Sequence, residues 1–508
     1  MKKIVAIWLS LVLVLGLVVI IDIVIAYNPT ISATTLYVNE TGSGGAFTSI
    51  QDAINASSDG DTVYVYNGTY YENVVVNKSI NLTGEHRDNT TIDAGKAGNV
   101  IRILASWVNI TGFTITNSSI LGDFAGVSFF ILCNNNNISG NNIRNNEYGL
   151  YFRFSDTNTV IDNNISFNSR YNIYLDESDR IRIINNNVSS SNASHGIYLF
   201  DSHRNTIINN TVNYNDEHGI YVIDSGYNDI VGNNVSNNTA NGIYLSSSSR
   251  CNITQNKASL NRHGILISSS STNNISHNDV SLNRLDGIYL GSSSGNSIID
   301  NEASGNGLRG IRISSSNQNI IKGNNISWSP EYGIYLSSSE NNNLTSNTMV
   351  EDGICIYGEQ IEQWNTHHID TTNTVNGKPV YYWKNQTTGV IPSGGGQAIL
   401  VNCTNVTIEN QDFTNGSVGI QLGYSSNINI TGNDVSFNDV FGIYLYKSNS
   451  SNIIQNNASN NTYRINFGLY IFESNWNNIS SNNVSNNDNG IYLDNCGWID
   501  IHDNIASY

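Results

Sequence analysis

The sequence predicts an all-β chain, wound as a right-handed parallel β-helix of about 23 residues per coil, with three strands per coil and a short N-terminal capping helix. Three observations predict it. A phrase recurs as GIYLSSSS from Gly242, GILISSSS from Gly264, GIYLGSSS from Gly287, GIRISSS from Gly310 and GIYLSSS from Gly333, at steps of 22, 23, 23 and 23 residues. Aliphatic residues keep fixed offsets from each phrase. An asparagine returns at one offset in every coil.

The chain opens Met1-Lys2-Lys3 and then runs apolar from Ile4 to Ile21. Positive residues before such a stretch mark a secretory signal or an uncleaved signal anchor within residues 1–33, with Ala26 and Ala33 near candidate cleavage sites. Lys2 and Lys3 on the inner side place everything after Tyr27 outside the cell. The expected location is secreted or cell-surface, with membrane contact only through this segment.

Residues 34–125 read as an N-terminal cap and first irregular coils. Ile50, Ala53 and Ile54 share one face of a short helix, which suits the cover that the open apolar end of a solenoid needs. Strands follow, such as Val63-Tyr64-Val65-Tyr66 and Val74-Val75-Val76. The stretch from Ala53 to Glu85, ending in GDTVYVYNGTYYENVVVNKSINLTGE, resembles the opening of pectin-lyase-like parallel β-helix proteins, including those of the NosD type.

Residues 126–508 carry the coils. Counted from each anchor (Gly149, Asn172, Gly196, Gly219, Gly242 and onward), the next residue, the third and the eleventh are aliphatic almost throughout, as Ile243, Leu245 and Ile253 show. The sixteenth is Val, Ile, Ala or Met. Three short period-two stretches thus send small apolar side chains inward, and only stacked coils bury them. The fourteenth residue is always Asn (Asn163, Asn186, Asn210, Asn233, Asn256), and a second Asn file follows at the nineteenth. Asn tolerates left-handed turns and its amide both donates and accepts, so stacked corners form ladders. About seventeen coils at ~4.8 Å would make a rod roughly 80 Å long. Residues 353–419 read as atypical coils with an enlarged loop; the segment NTVNGKPVYYWKNQ within them resembles one that recurs in archaeal surface proteins of the NosD type. The final coil, ending Ala506-Ser507-Tyr508 without a cap, is expected to favour self-association.

Charged residues are only 13%, the net charge is −18 and the pI is about 4.7. No basic stripe is present, which excludes nucleic acid as a partner. Five cysteines (Cys133, Cys251, Cys355, Cys403, Cys496) lie apart with no CxxC, so no metal site is expected of them.

Between two inward aliphatics, the second position must point outward. It holds Tyr151, Tyr174, Tyr198, Tyr221, Tyr244, Tyr289 and Tyr335, and later Tyr444, Tyr470 and Tyr492. This file is the candidate ligand site, for a polysaccharide or cell-surface glycan. The bland alternative is that adjacent aromatics merely support each other, by ~0.2–1 kcal/mol per pair.

A cluster of ionisable residues between 172 and 230 supplies the catalytic candidates: Asp201, His218, Asp224, Glu177 and His195. Neighbouring carboxylates raise a pKa for acid work or share a cation, calcium being the candidate. The corresponding activity is that of a lyase, hydrolase or epimerase on an acidic polysaccharide, with solvated turn residues as the alternative. SHGIYLF and EHGIYVI are only loosely similar to the Gly-His-Gly strand of related enzymes, with Ser194 and Glu217 replacing the first glycine. Asp-Asp, Arg-x-Lys and Asp-Pro-His elements are missing. The NosD resemblance implies a third role, an accessory factor for maturing a copper enzyme, whose soft clustered ligands would be Cys, Met or His. Abundant Asn-x-Ser/Thr sequons, such as Asn252-Ile253-Thr254, imply glycosylation on an exported chain.

Overall fold

The computed structural model describes residues 33–461 and 466–507. The expected signal or anchor lies outside them. The described residues form a right-handed parallel β-helix of about 20 turns, with strands from Thr35–Val38 onward and only two α-helices.

One coil shows why. Ile243–Ser246 turns Ile243 and Leu245 into the core, Asn252–Thr254 turns in Ile253, and Ala258 closes the third side; all four are fully buried. Each coil repeats on the next in register, Ile243 against Ile265 and Ile253 against Ile275. The Asn files are ladders. Asn256 donates through Nδ2 to Asn278 Oδ1 at 3.0 Å and to the carbonyls of Ile230 and Thr254 at 2.8 and 3.1 Å. Its Oδ1 accepts from Asn233 N at 2.9 Å and Nδ2 at 3.0 Å.

Where the sequence suggested that these Asn themselves take the left-handed turn, the residue before each one does: Gln255 has φ 57°, His277 57° and Asp300 53°. The turn swings the next side chain inward, where its carboxamide replaces lost strand pairing. Two more ladders stand beside them. Ser248 N donates to Ser270 Oγ at 2.8 Å, and Ser270 N to Ser293 Oγ at 3.1 Å. Asn273, Asn296, Asn319 and Asn342 repeat the amide pattern at another corner. One serine of each SSSS phrase is therefore core.

At the N-terminal end, α1 (Ile50–Ala56) buries Ile50, Ala53 and Ile54. Ser49 caps it by accepting from Asp52 N, and the Glu72 carboxylate accepts from the N–H groups of Ile50 and Gln51 at 2.8 and 2.9 Å. A negative charge there suits the helix dipole.

The solenoid is not one straight rod. A 15-stranded sheet runs from Thr35–Val38 to His368–Ile369, and a 13-stranded sheet from Val74–Val76 to Ile354–Tyr357. Then Thr374 and Val375 pair antiparallel with Pro379 and Lys378, whereas the other strand pairs among the described residues are parallel. The turn between them is Asn376-Gly377, both at positive φ (51° and 76°), the geometry that Asn-Gly hairpins require. Strand direction reverses there, and a second arm, from Lys378–Lys384 to Asp500–His502, folds against the first. Gln397 and Gln421, fully buried, fix the contact. Gln397 Oε1 accepts from Ile354 N at 3.0 Å and its Nε2 donates to Ile354 O at 2.7 Å; Gln421 does the same for Ile356 at 3.2 and 2.7 Å. Two amides thus stand in for the missing next strand. Short helix α2 (Glu362–Asn365) wedges Trp364 into the junction, stacked on Tyr446 at 5.2 Å.

Candidate functional site

The outward side of the 13-stranded sheet carries two files of side chains. The first holds the tyrosines foreseen from the sequence. Tyr151, Tyr174, Tyr198, Tyr221 and Tyr244 stack at 5.1, 5.0, 5.2 and 4.8 Å between ring centroids, with interplanar angles of 1° to 14°. Each ring therefore spends its faces on its neighbours, and what meets solvent is an edge and a hydroxyl. Tyr151 is buried and gives its hydroxyl to Asp176 at 3.1 Å; Tyr174, Tyr198, Tyr221 and Tyr244 are half-buried. Tyr289 stands apart, next to Leu266, with the Arg312 guanidinium 4.4 Å from its ring centre. Tyr335 lies at the end of the file, against the second arm.

The second file lies at or just before the start of each strand: Tyr148, Tyr171, His195, His218, Asn241, His263, Asp286, Arg309, Tyr332. It packs beside the tyrosines, His195 at 5.0 Å from both His218 and Tyr221. His195 and His218 are thus built into the wall. Burial, with His218 adding to it, lowers the His195 pKa to about 3; burial, with Arg262 beside it, lowers that of His218 to about 4. Each Nδ1 accepts a backbone N–H from the next coil, His218 N at 3.3 Å and Asn241 N at 3.1 Å. Neutral imidazole here does the work of a ladder amide.

Glu177, Asp201 and Asp224 occupy the opposite end of the same strands, exposed, in the left-handed region at φ 48°, 44° and 51°. Asp201 meets the exposed His203 at 3.1 Å. By strand rise, His218 and Asp224 are roughly 20 Å apart. The structure does not gather the five catalytic candidates into one constellation.

It gathers another group instead. His263 Nδ1 lies 3.3 Å from Asp286 Oδ2, and Arg309 reaches both Asp286 (3.5 Å) and Glu331 (2.5 Å) while covering the Tyr335 ring at 4.9 Å. Asp286 is fully buried, and its Oδ2 accepts no hydrogen bond from a described residue. Continuing the file of His195, His218, Asn241 and His263 by two coils leads to this cluster; that extension was the missed signal.

A second feature arises only from the reversal. Tyr332, Tyr335, Cys355 and Tyr357 of the first arm face Phe441, Tyr444, Tyr470 and Phe472 of the second across a cleft of about 170 Å³. Each wall is stacked on itself: Tyr332 on Tyr335 at 5.1 Å, Phe441 on Tyr444 at 4.9 Å, Tyr444 on Tyr470 at 5.4 Å. Tyr444 is only 3% exposed, and neither its hydroxyl nor that of Tyr470 hydrogen-bonds a described residue.

Fold and surface together define a parallel β-helix with one aromatic outer face and an aromatic cleft. The chain belongs to the family described as periplasmic copper-binding protein (NosD), whose model matches residues 54–241, 234–386 and 380–508. No curated protein matches it. Among solved structures, it is similar to the Dettilon tailspike protein (gp208), at 18% identity over 66% of this chain and 70% of that one, TM-score 0.48. It is also similar to the periplasmic alginate epimerase AlgG (18%, 52% and 71%, TM-score 0.35) and to the A-module of the mannuronan C-5 epimerase AlgE4 of Azotobacter vinelandii (15%, 70% and 90%, TM-score 0.34).

The family description implies copper, which takes clustered thiolates, thioethers and imidazoles. Among the described residues, no group of three His, Cys, Asp or Glu is placed to hold a metal. Cys133, Cys251, Cys355 and Cys403 are buried singly, and burial pushes the Cys251 and Cys355 thiols up to about 11 and 12. Met349 is core. His367 turns inward, accepting from Asn342 N at 3.2 Å, while the adjacent His368 points out. These residues do not fit copper.

Proposed function

We propose that this protein is an extracytoplasmic β-helix that holds a glycan along the outward face of its 13-stranded sheet, in a cell-surface or envelope role. The observation that carries this is the tyrosine file, which offers a hydroxyl about every 5 Å along the axis, comparable to the advance of one sugar unit. The hydroxyls of Tyr174 and Tyr198 hydrogen-bond no described residue, so they are free for a polymer laid across them. Contact is by hydroxyl and ring edge, with the ring faces already used. The apolar N-terminal run and the family's periplasmic description support the location.

A glycan array and affinity electrophoresis against acidic and neutral polysaccharides test it. Wild type is expected to be retarded by at least one polymer, and Tyr198→Ala/Tyr221→Ala to lose most of that retardation. A wild type that no polymer retards, or a double variant that runs as wild type does, sinks the proposal.

One observation favours a second reading, the modification of an acidic polysaccharide. Arg309 and Arg312 bring two guanidiniums to the same face, beside Tyr289 and Tyr335, in a chain of net charge −18. Arg recognises carboxylates bidentately. Product release from a uronate polymer, abolished by Arg312→Ala, would replace the binder with the enzyme.

A further inference from the structure

The cleft between the arms has features that the open face lacks. It lies where the outward tyrosine file of the first arm ends, at Tyr335 and Cys355, so a polymer following that file arrives there. Its far wall belongs to the second arm and blocks further travel. None of the eight lining side chains carries a charge at neutral pH: they are five tyrosines, two phenylalanines and a cysteine. The one guanidinium against this wall, that of Arg309 over Tyr335, is already paired with Asp286 and Glu331, so phosphate, sulfate and uronate groups find no unpaired counter-charge among the lining residues. Ring faces are engaged within each wall, so the cleft presents edges and hydroxyls, which disfavours a cation seeking a π face.

The hydroxyls of Tyr444, on a buried ring, and of Tyr470, on a half-buried one, point to the ligand class, since both reach the cleft unpaired by any described residue. Buried polar groups are normally satisfied, so a phenol on a buried ring that lacks a protein partner opens toward what can satisfy it. Three buried tyrosines elsewhere do find partners: Tyr70 bonds the Tyr66 carbonyl at 2.9 Å, Tyr148 bonds Asp123 at 3.0 Å and Tyr151 bonds Asp176 at 3.1 Å. Tyr444 and Tyr470 instead open on a cleft of about 170 Å³. Apolar edges with unpaired hydroxyls suit a small ring that is apolar across its C–H bonds and polar at its rim.

We propose that this cleft is a pocket for one uncharged sugar residue, the end unit of a glycan held between Tyr335 on one wall and Tyr444 and Tyr470 on the other. The sugar class rests on the glycan reading above; the site does not overlap the residues that test that reading. Recognition of an end would fix the polarity and register of the polymer on the tyrosine file.

Methyl glycosides of glucose, galactose and mannose serve as probes, with methyl glucuronide as the charged control, measured on the whole protein by saturation-transfer NMR and calorimetry. At least one neutral glycoside is expected to bind and the glucuronide to bind at least ~10-fold more weakly, because its carboxylate is desolvated without a partner. Tyr444→Phe/Tyr470→Phe keeps both rings and removes both hydroxyls, and should weaken the neutral glycoside ~5- to 50-fold at two hydrogen bonds lost. Its melting temperature should match wild type, which separates lost binding from lost fold. No binding by any neutral glycoside, equal binding by the Phe variant, or preference for the glucuronide overturns the pocket.

The two proposals fail separately. If only the face reading is wrong, polymers are not retarded but the methyl glycosides still bind, and Tyr198→Ala/Tyr221→Ala leaves that binding unchanged. If only the pocket is wrong, polymers are retarded and the Phe variant changes nothing.

Discussion

A buried carboxamide stabilises only if its donors and acceptor are all used, and Asn256 meets that condition. It accepts two bonds from Asn233 and donates to Asn278, Ile230 and Thr254, with 1% of its surface exposed. Asn256→Ala strands the N–H and Nδ2 of Asn233 and two carbonyls, so it should destabilise by roughly 2–5 kcal/mol. Urea unfolding followed by circular dichroism checks this, and an unchanged midpoint would show that water fills the gap. At this scale, much was legible: the Asn files, the inward aliphatics and the outward tyrosines all follow from period and alternation. What stayed hidden is conformational. Which residue of the Gln255-Asn256 pair takes the left-handed turn depends on where the backbone points, and both Asn and its predecessor tolerate φ > 0 in turns. The serine ladder was hidden differently, because Ser246, Ser247, Ser248 and Ser249 look alike in sequence and only the kink at Ser247 (φ 49°) sends Ser248 inside.

At the scale of the coil, the anchor glycine is a packing requirement. A Cβ built on Gly242 would lie 2.7 Å from Gly264 O and 2.7 Å from Asn261 Nδ2, the first of these backbone in the next coil. Neither atom has room to retreat, since Gly264 O accepts from Ile243 N at 3.0 Å. Gly242→Ala should therefore cost about 1–3 kcal/mol as overpacking, more than the usual helix or strand gain from Ala would return. Chemical denaturation read beside Gly394→Ala, whose Cβ meets nothing within 4 Å although its φ is 86°, separates steric from dihedral cost. Equal losses in the two variants would refute the stacking account. The charged cluster belongs to this scale too, because His263, Asp286, Arg309 and Glu331 come from successive coils and meet only through register. The hairpin at Val375-Asn376-Gly377-Lys378 was visible in principle: Asn-Gly between two short apolar runs is the strongest local hairpin signal. The 66-residue spacing between Gly353 and Gly419, close to three coils, concealed it by matching an uninterrupted solenoid.

Across the whole molecule, the reversal creates the contact between arms, and carboxyl groups of both arms meet there. Asp352 is fully buried beneath the first arm's last coils, its Oδ2 accepting from Ser329 N at 3.1 Å and its Oδ1 accepting from no described residue. Asp439 comes from the second arm; burial, with Glu351 nearby, raises its pKa to about 7. Burial likewise raises Asp352. A carboxyl group whose folded pKa exceeds its unfolded value of 3.8 costs no stability below that value. The cost grows as pH rises from about 4 and is complete once pH passes about 7. The depressed imidazoles of His195, His218 and His367 act in the opposite sense, since they lose stability as pH falls below their unfolded value of 6.5. The raw melting curve against pH therefore mixes two trends, and only a difference isolates the arm contact. Asp439→Asn should melt with wild type near pH 4 and above it from pH 7 upward, with the gap opening between those values and then holding constant. Thermal melts of both proteins from pH 4 to pH 9 measure that gap. A gap already full at pH 4 would assign the effect to packing, and no gap at pH 8 would mean that the Asp439 carboxylate is solvated in the folded chain. Because the aromatic cleft opens between the same two arms, methyl glycoside binding in wild type should weaken over the same pH interval, and Asp439→Asn should flatten that dependence.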